Sequence, residues 1–74
     1  MTKLPADLSG QDVIKALQKI GFVVKRQRGS HMILRRDSPH GRVVVPNHKA
    51  IRLGTLRSIL HAANVTVAEL IDLL

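Results

Sequence analysis

Four histidines, His31, His40, His48 and His61, are the side chains of this sequence best suited to moving a proton near neutral pH. An unperturbed imidazole titrates near ~6.5, so it both accepts and donates there. No two of them stand four apart on a helical pattern, and the His-Glu-x-x-His signature is missing, so none has metal-ligand spacing. Cysteine is absent, which removes disulfides, thiolate metal sites and cysteine nucleophiles together. The serines and threonines lie in no nucleophile elbow. The 5 Asp and Glu residues are too dispersed for a paired-carboxylate glycosidase, and no glycine-rich phosphate loop occurs.

His31 differs from the other three in its setting. Gly29-Ser30-His31 places it where a tight turn enters a strand, with Lys25, Arg26, Arg28 and Arg35 close by in sequence. RNA carries its own nucleophile, the 2′-hydroxyl. A base that removes that proton, with cations to stabilise the pentacoordinate phosphate, makes a minimal ribonuclease that requires neither metal nor cofactor. By type and position alone the plainer reading of His31, an ordinary solvated residue beside a turn, has precedence. His40 falls in a hairpin loop, His61 on the polar side of a helix, and His48 in a loop after the third strand, where it is the weaker functional candidate. Gly29-Ser30-His31-Met32 has the form of a tag-removal scar, but its place between two strand patterns marks it as native.

Charge supports a polyanionic partner. The 74 residues contain 12 Lys and Arg against 5 Asp and Glu, for a net charge of +7. Most of the excess lies between Lys25 and Arg57, where Asp37 is the single acid. A concentrated positive field suits nucleic acid or an acidic protein. Phe22 is the only aromatic residue, which argues against binding by stacking bases on a row of rings. The N-terminal residues have no apolar signal core, and no apolar run approaches the ~20 residues needed to cross a bilayer. These features predict one cytoplasmic domain, 1–74, with no membrane partner.

The elements that must position these residues follow from periodicity. Ser9 with Asp12 forms a helix start, Val13, Ala16, Leu17 and Ile20 make one apolar face, and Gly21 is the expected cap. Three strands follow: Phe22 to Arg28, His31 to Arg36, and Arg42 to Val45. They are separated by Arg28-Gly29-Ser30 and by the turn from Asp37 to Gly41, and Pro46 is the expected stop. Leu56, Ile59, Leu60 and Ala63 predict a second helix closed by Asn64. Thr66 to Glu69 is a capping box for a short last helix with Val67, Leu70, Ile71 and Leu74 on its inner face. The fold class is α+β: helix, three-stranded antiparallel sheet, helix, short C-terminal helix. The helices cover one face of the sheet, and the other is left to water or a partner, with most of the basic residues.

Four segments in order, Gly21-Phe22, Arg26 to His31, Val45 to His48, and Gly54 to Leu60, resemble the HicA (YcfA-like) toxins. The resemblance covers about Ser9 to Leu74. It implies a fold like that of double-stranded-RNA-binding domains and metal-free cleavage of messenger RNA without the ribosome. It implies that His31 is the catalytic residue; with that in view, Lys25, Arg26, Arg28, Gly29 and Ser30 are the residues expected to hold RNA. It also implies a HicB-type antitoxin that covers the site, in a complex that binds operator DNA. Two positions depart from the family pattern. Met32, Ile33 and Leu34 stand where an aromatic residue is common, and Arg52-Leu53 replaces a lysine-rich segment. The rival readings are a non-catalytic RNA-binding module and a subunit whose basic face only docks an acidic partner.

Overall fold

The computed structural model describes residues 4–74. The order of elements is α1 (Gly10–Gln18), β1 (Val23–Arg28), β2 (His31–Asp37), β3 (His40–Pro46), α2 (Leu53–Ala63) and α3 (Val67–Leu73). The strands form one antiparallel sheet in the order β1-β2-β3, so β2 is central. This is the α+β arrangement expected from the sequence.

Each of the two capped helices begins where its cap dictates. The Ser9 hydroxyl accepts from the Asp12 N–H at 3.0 Å while the Asp12 carboxylate accepts from the Ser9 N–H at 3.0 Å. Hydrogen bonding from Ser9 to the carboxylate, from its backbone N–H first and then from its side chain, holds the Asp12 carboxyl below the usual carboxylate range, and Lys15 adds to the effect. The cap therefore strengthens α1 above the ordinary carboxylate pKa, and this contribution is lost as pH falls through the lowered value. Thr66 and Glu69 form the same reciprocal pair at α3. Asn64 closes α2 in the left-handed region, φ 57°.

Three features differ from expectation. α1 ends at Gln18, capped by Lys19 rather than Gly21. The next residues tighten into turns, Ile20 N–H to Leu17 and Gly21 N–H to Gln18, and Gly21 takes φ +100° to redirect the chain into β1. The second hairpin loop is only Ser38-Pro39, so β3 starts at His40 and includes Pro46. An edge strand tolerates a residue without an N–H, because its outer side makes no ladder bond. On α3, Leu70 and Leu73 turn inward, whereas Ile71 and Leu74, expected inside, are 38% and 49% exposed. A seven-residue helix packed along one side has room for only one narrow apolar stripe.

The core lies on one side of the sheet. Leu34, Val43 and Val45 point to it and meet Val13 and Leu17 of α1, Leu56 and Leu60 of α2 and Leu70 of α3. α1 approaches so closely that Gly10 donates its N–H to the His48 carbonyl at 2.9 Å. A Cβ on Gly10 would overlap the Pro46 carbonyl oxygen and lie 2.8 Å from Asn47 Cα. Arg36 secures the opposite end. Its Nε donates to Pro39 O at 2.9 Å, Nη1 to Ile20 O at 3.2 Å and Nη2 to Ala63 O at 3.4 Å. Its guanidinium lies 4.4 Å from the centre of the Phe22 ring, which in turn covers Gly41. One cation thus joins the turn after α1, the second hairpin and the carbonyl end of α2, where positive charge is favoured.

Gly10→Ala should lower stability by about 1–3 kcal/mol, because the added methyl meets backbone and not a movable side chain. A urea midpoint equal to that of the wild type would contradict this packing. Arg36→Lys keeps the charge but not the fork, so it should cost about 1.5–3 kcal/mol. An unchanged thermal midpoint would show that the three carbonyl bonds add nothing.

Candidate active site

The first hairpin is made by a two-residue loop, Gly29-Ser30, between paired Arg28 and His31. Gly29 takes φ +56°, as the first loop position of a type II′ turn requires. The turn is anchored from two sides. Ser30 O accepts from Asn47 N–H at 2.6 Å, and Asn47 Oδ1 accepts from Gln11 Nε2 at 3.0 Å. The Gln27 side chain donates to Gly29 O at 3.0 Å. His31 therefore starts the central strand from a loop fixed to both the segment after β3 and α1.

Pairing places His31 between Arg28 on β1 and Pro46 on β3. Directly opposed residues share a face, and successive residues alternate. Because Leu34 is buried, His31, Ile33 and Arg35 lie on the uncovered face, with Arg42, Val44 and Pro46 beside them on β3. The rows run Arg28–His31–Pro46, then Arg26–Ile33–Val44, then Val23–Arg35–Arg42. Asp37 and His40 form the last row, beyond Arg35.

Strict alternation would not give these rows. β1 slips register between Val24 and Arg26: Val24 pairs with Leu34, yet Arg26 pairs with Ile33. Lys25 is the extra residue of a β-bulge, a device that re-aims side chains. Without it Arg26 would turn toward the core side and Gln27 would stand opposite His31. With it, Lys25 and Arg26 line a depression of about 310 Å³ together with Ile33, Arg35 and Arg42.

The residues expected to hold RNA are thus assembled, in two groups. Arg28, Gly29 and Ser30 adjoin His31, while Lys25 and Arg26 stand one row along the sheet. The central run of cations is not one patch, however. Arg36 is turned away from the open face and engaged in the structural bonds above. His40 lies at the far end of the sheet, in β3 and not in a loop, and His61 is exposed on α2. His48 is at the His31 end, two residues beyond Pro46, where it lines a separate depression of about 320 Å³ with Ala50, Arg52 and Thr55. Sequence reasoning gives no site role to Arg42, Gln11 or Asn47. Arg42 is identifiable from the alternation of β3, but Gln11 and Asn47 meet only through the tertiary contact of α1 with the loop after β3. Among the described residues no three His, Asp or Glu side chains gather in a metal-ligating group, and no helix is long and apolar enough to cross a membrane.

No curated protein matches the chain. A family model described as the HicA toxin of bacterial toxin–antitoxin systems matches residues 10–65, which run from the first residue of α1 to just beyond α2 and include the whole sheet. The chain belongs to the HicA toxin family of bacterial toxin–antitoxin systems, and its natural counterpart is an antitoxin.

Proposed function

We propose that this toxin is an endoribonuclease that cleaves messenger RNA in the cytoplasm, with His31 as its catalytic residue and no metal or cofactor. The observation that carries the reading is the position of His31. It is exposed, it opens the central strand of an uncovered sheet face, and its cross-strand neighbour is Arg28. An imidazole in this setting has access to a strand lying on the sheet and a cation beside it.

The reaction follows from those groups. His31 takes the proton of a 2′-hydroxyl as O2′ attacks the adjacent phosphorus. A bond forms between O2′ and phosphorus, and the bond from phosphorus to the departing 5′-oxygen breaks. The imidazolium returns its proton to that oxygen, leaving a 2′,3′-cyclic phosphate and a 5′-hydroxyl. Arg28 stabilises the charge that builds on the phosphate, and Lys25 and Arg26 hold the neighbouring backbone. Ser30, through its hydroxyl or its backbone amide, positions the phosphate. The antitoxin is of the HicB type and neutralises the toxin by covering this face, and the joint complex binds operator DNA.

His31→Ala should reduce RNA cleavage by about 10²-fold or more, with excess chelator present throughout. Activity retained in the variant would remove His31 from the mechanism, and activity lost to chelator alone would make the reaction metal-dependent. Equal RNA binding with no cleavage by either protein would leave a binding module. Arg26→Gln and Arg28→Gln should weaken binding of all RNA sequences about equally and flatten the salt dependence, by about 0.7 for each phosphate no longer neutralised. A sharp change in preferred sequence would show that these arginines read bases instead.

A further inference from the structure

The depression formed by Lys25, Arg26, Ile33, Arg35 and Arg42 lies on the same face as His31 but not beside it. Arg35 is four residues along β2 from His31, about 13 Å at the rise of an extended strand. Arg35 and Arg42 are directly opposed across β2 and β3, and both are exposed. Like charges in such a pair destabilise a sheet. Lys25 and Arg26 are then brought to the same hollow by the bulge. The chain has one acid between Asp12 and Glu69, and that residue, Asp37, stands in the row beyond, at the hairpin end. Four cations therefore converge on a concave site lined also by the aliphatic side chain of Ile33, in a fold that gains nothing from bringing them together.

We propose that Lys25, Arg26, Arg35 and Arg42 form a phosphate subsite for single-stranded RNA, separated from the scissile phosphate by a short stretch of backbone. The proposal rests on the catalytic reading of His31 for the direction in which the strand lies. A strand that enters along β2 puts one phosphate at the His31–Arg28 row and another two nucleotides on at the Arg35–Arg42 row, with the nucleosides between them over Ile33 and Val44. The aliphatic row offers no ring to stack on, but a base can lie against it, and the flanking guanidinium planes of Arg26 and Arg35 stack on bases in the way aromatic rings do elsewhere. An unpaired strand is required. Attack by O2′ needs it in line with the departing oxygen, and a regular duplex holds those atoms out of line. An acidic protein segment would match the charge, but RNA accounts also for the alignment of the subsite with His31 on one strand.

The test compares the full chain with the Arg35→Gln/Arg42→Gln double variant, both carrying His31→Ala so that RNA survives the measurement. Binding to a long single-stranded RNA and to a dinucleotide with only the scissile phosphate is measured across a range of salt. The double variant should bind the long RNA about tenfold more weakly, with a salt slope flatter by about 0.7 for each phosphate released from the subsite, and the advantage of long over short RNA should shrink. Arg35→Lys/Arg42→Lys, which keeps the charge, should restore most of the slope. Circular dichroism checks that the sheet is intact, and removal of an opposed like-charge pair should not lower the thermal midpoint. Unchanged affinity and slope for the long RNA would overturn the subsite. Unchanged RNA binding with weakened capture of the antitoxin would overturn it in favour of a protein-docking face. If instead the wild-type chain binds as predicted but fails to cleave, the subsite stands and the catalytic reading falls.

Discussion

The core of this protein lies on one side of its sheet, and that one-sidedness decides which side chains face out. Three strands present two faces, and α1, α2 and α3 pack on one of them. Among the described residues no further layer covers the other. In β2 the consequence is strict: Leu34 is committed to the core, and its neighbours Ile33 and Arg35 to the open side. β1 obeys the same rule only up to Val24. The single extra residue at Lys25 then resets the phase, so that Arg26 and Arg28 join His31 on the open face. The chemistry of that face is thus decided by a backbone irregularity rather than by composition.

An exposed face is useful for catalysis only if it is held still. Two close contacts do this from opposite ends of the sheet. At the His31 end, the absence of a side chain at Gly10 lets the start of α1 press on Pro46 and Asn47, and Asn47 in turn holds Ser30. At the other end, Arg36 commits its guanidinium to three carbonyls and the Phe22 ring. These are hydrogen bonds and packing of the covered side, yet they fix the register of the open side.

Much of this is legible in the sequence, for identifiable reasons. The helices are readable because their signals are local: Ser9 with Asp12, Thr66 with Glu69, and Asn64 after an apolar run. The Gly29-Ser30 turn is readable because a two-residue hairpin needs a residue that tolerates positive φ. The bulge is not readable, since Lys25, Arg26 and Arg28 carry no apolar alternation to reveal a slip. Arg36 cannot be told from Arg35 by type, because only the tertiary fold shows which of two adjacent arginines faces Phe22. The exposed Ile71 and Leu74 show the same limit from the apolar side: periodicity finds a face but not how much of it will be covered.

In the function proposed for this face, a histidine drives attack by RNA's own 2′-hydroxyl. The most direct measurement is the chemistry of the cut ends, read by mass spectrometry after cleavage of a single-stranded RNA with the 2′-hydroxyl present or replaced by hydrogen at the scissile nucleotide. Attack by the 2′-hydroxyl gives a 5′-hydroxyl on one fragment, a 2′,3′-cyclic phosphate on the other, and no cleavage of the 2′-deoxy substrate. Fragments carrying a 5′-phosphate, or cleavage of the 2′-deoxy substrate at an equal rate, would mean that water is the nucleophile and would contradict it.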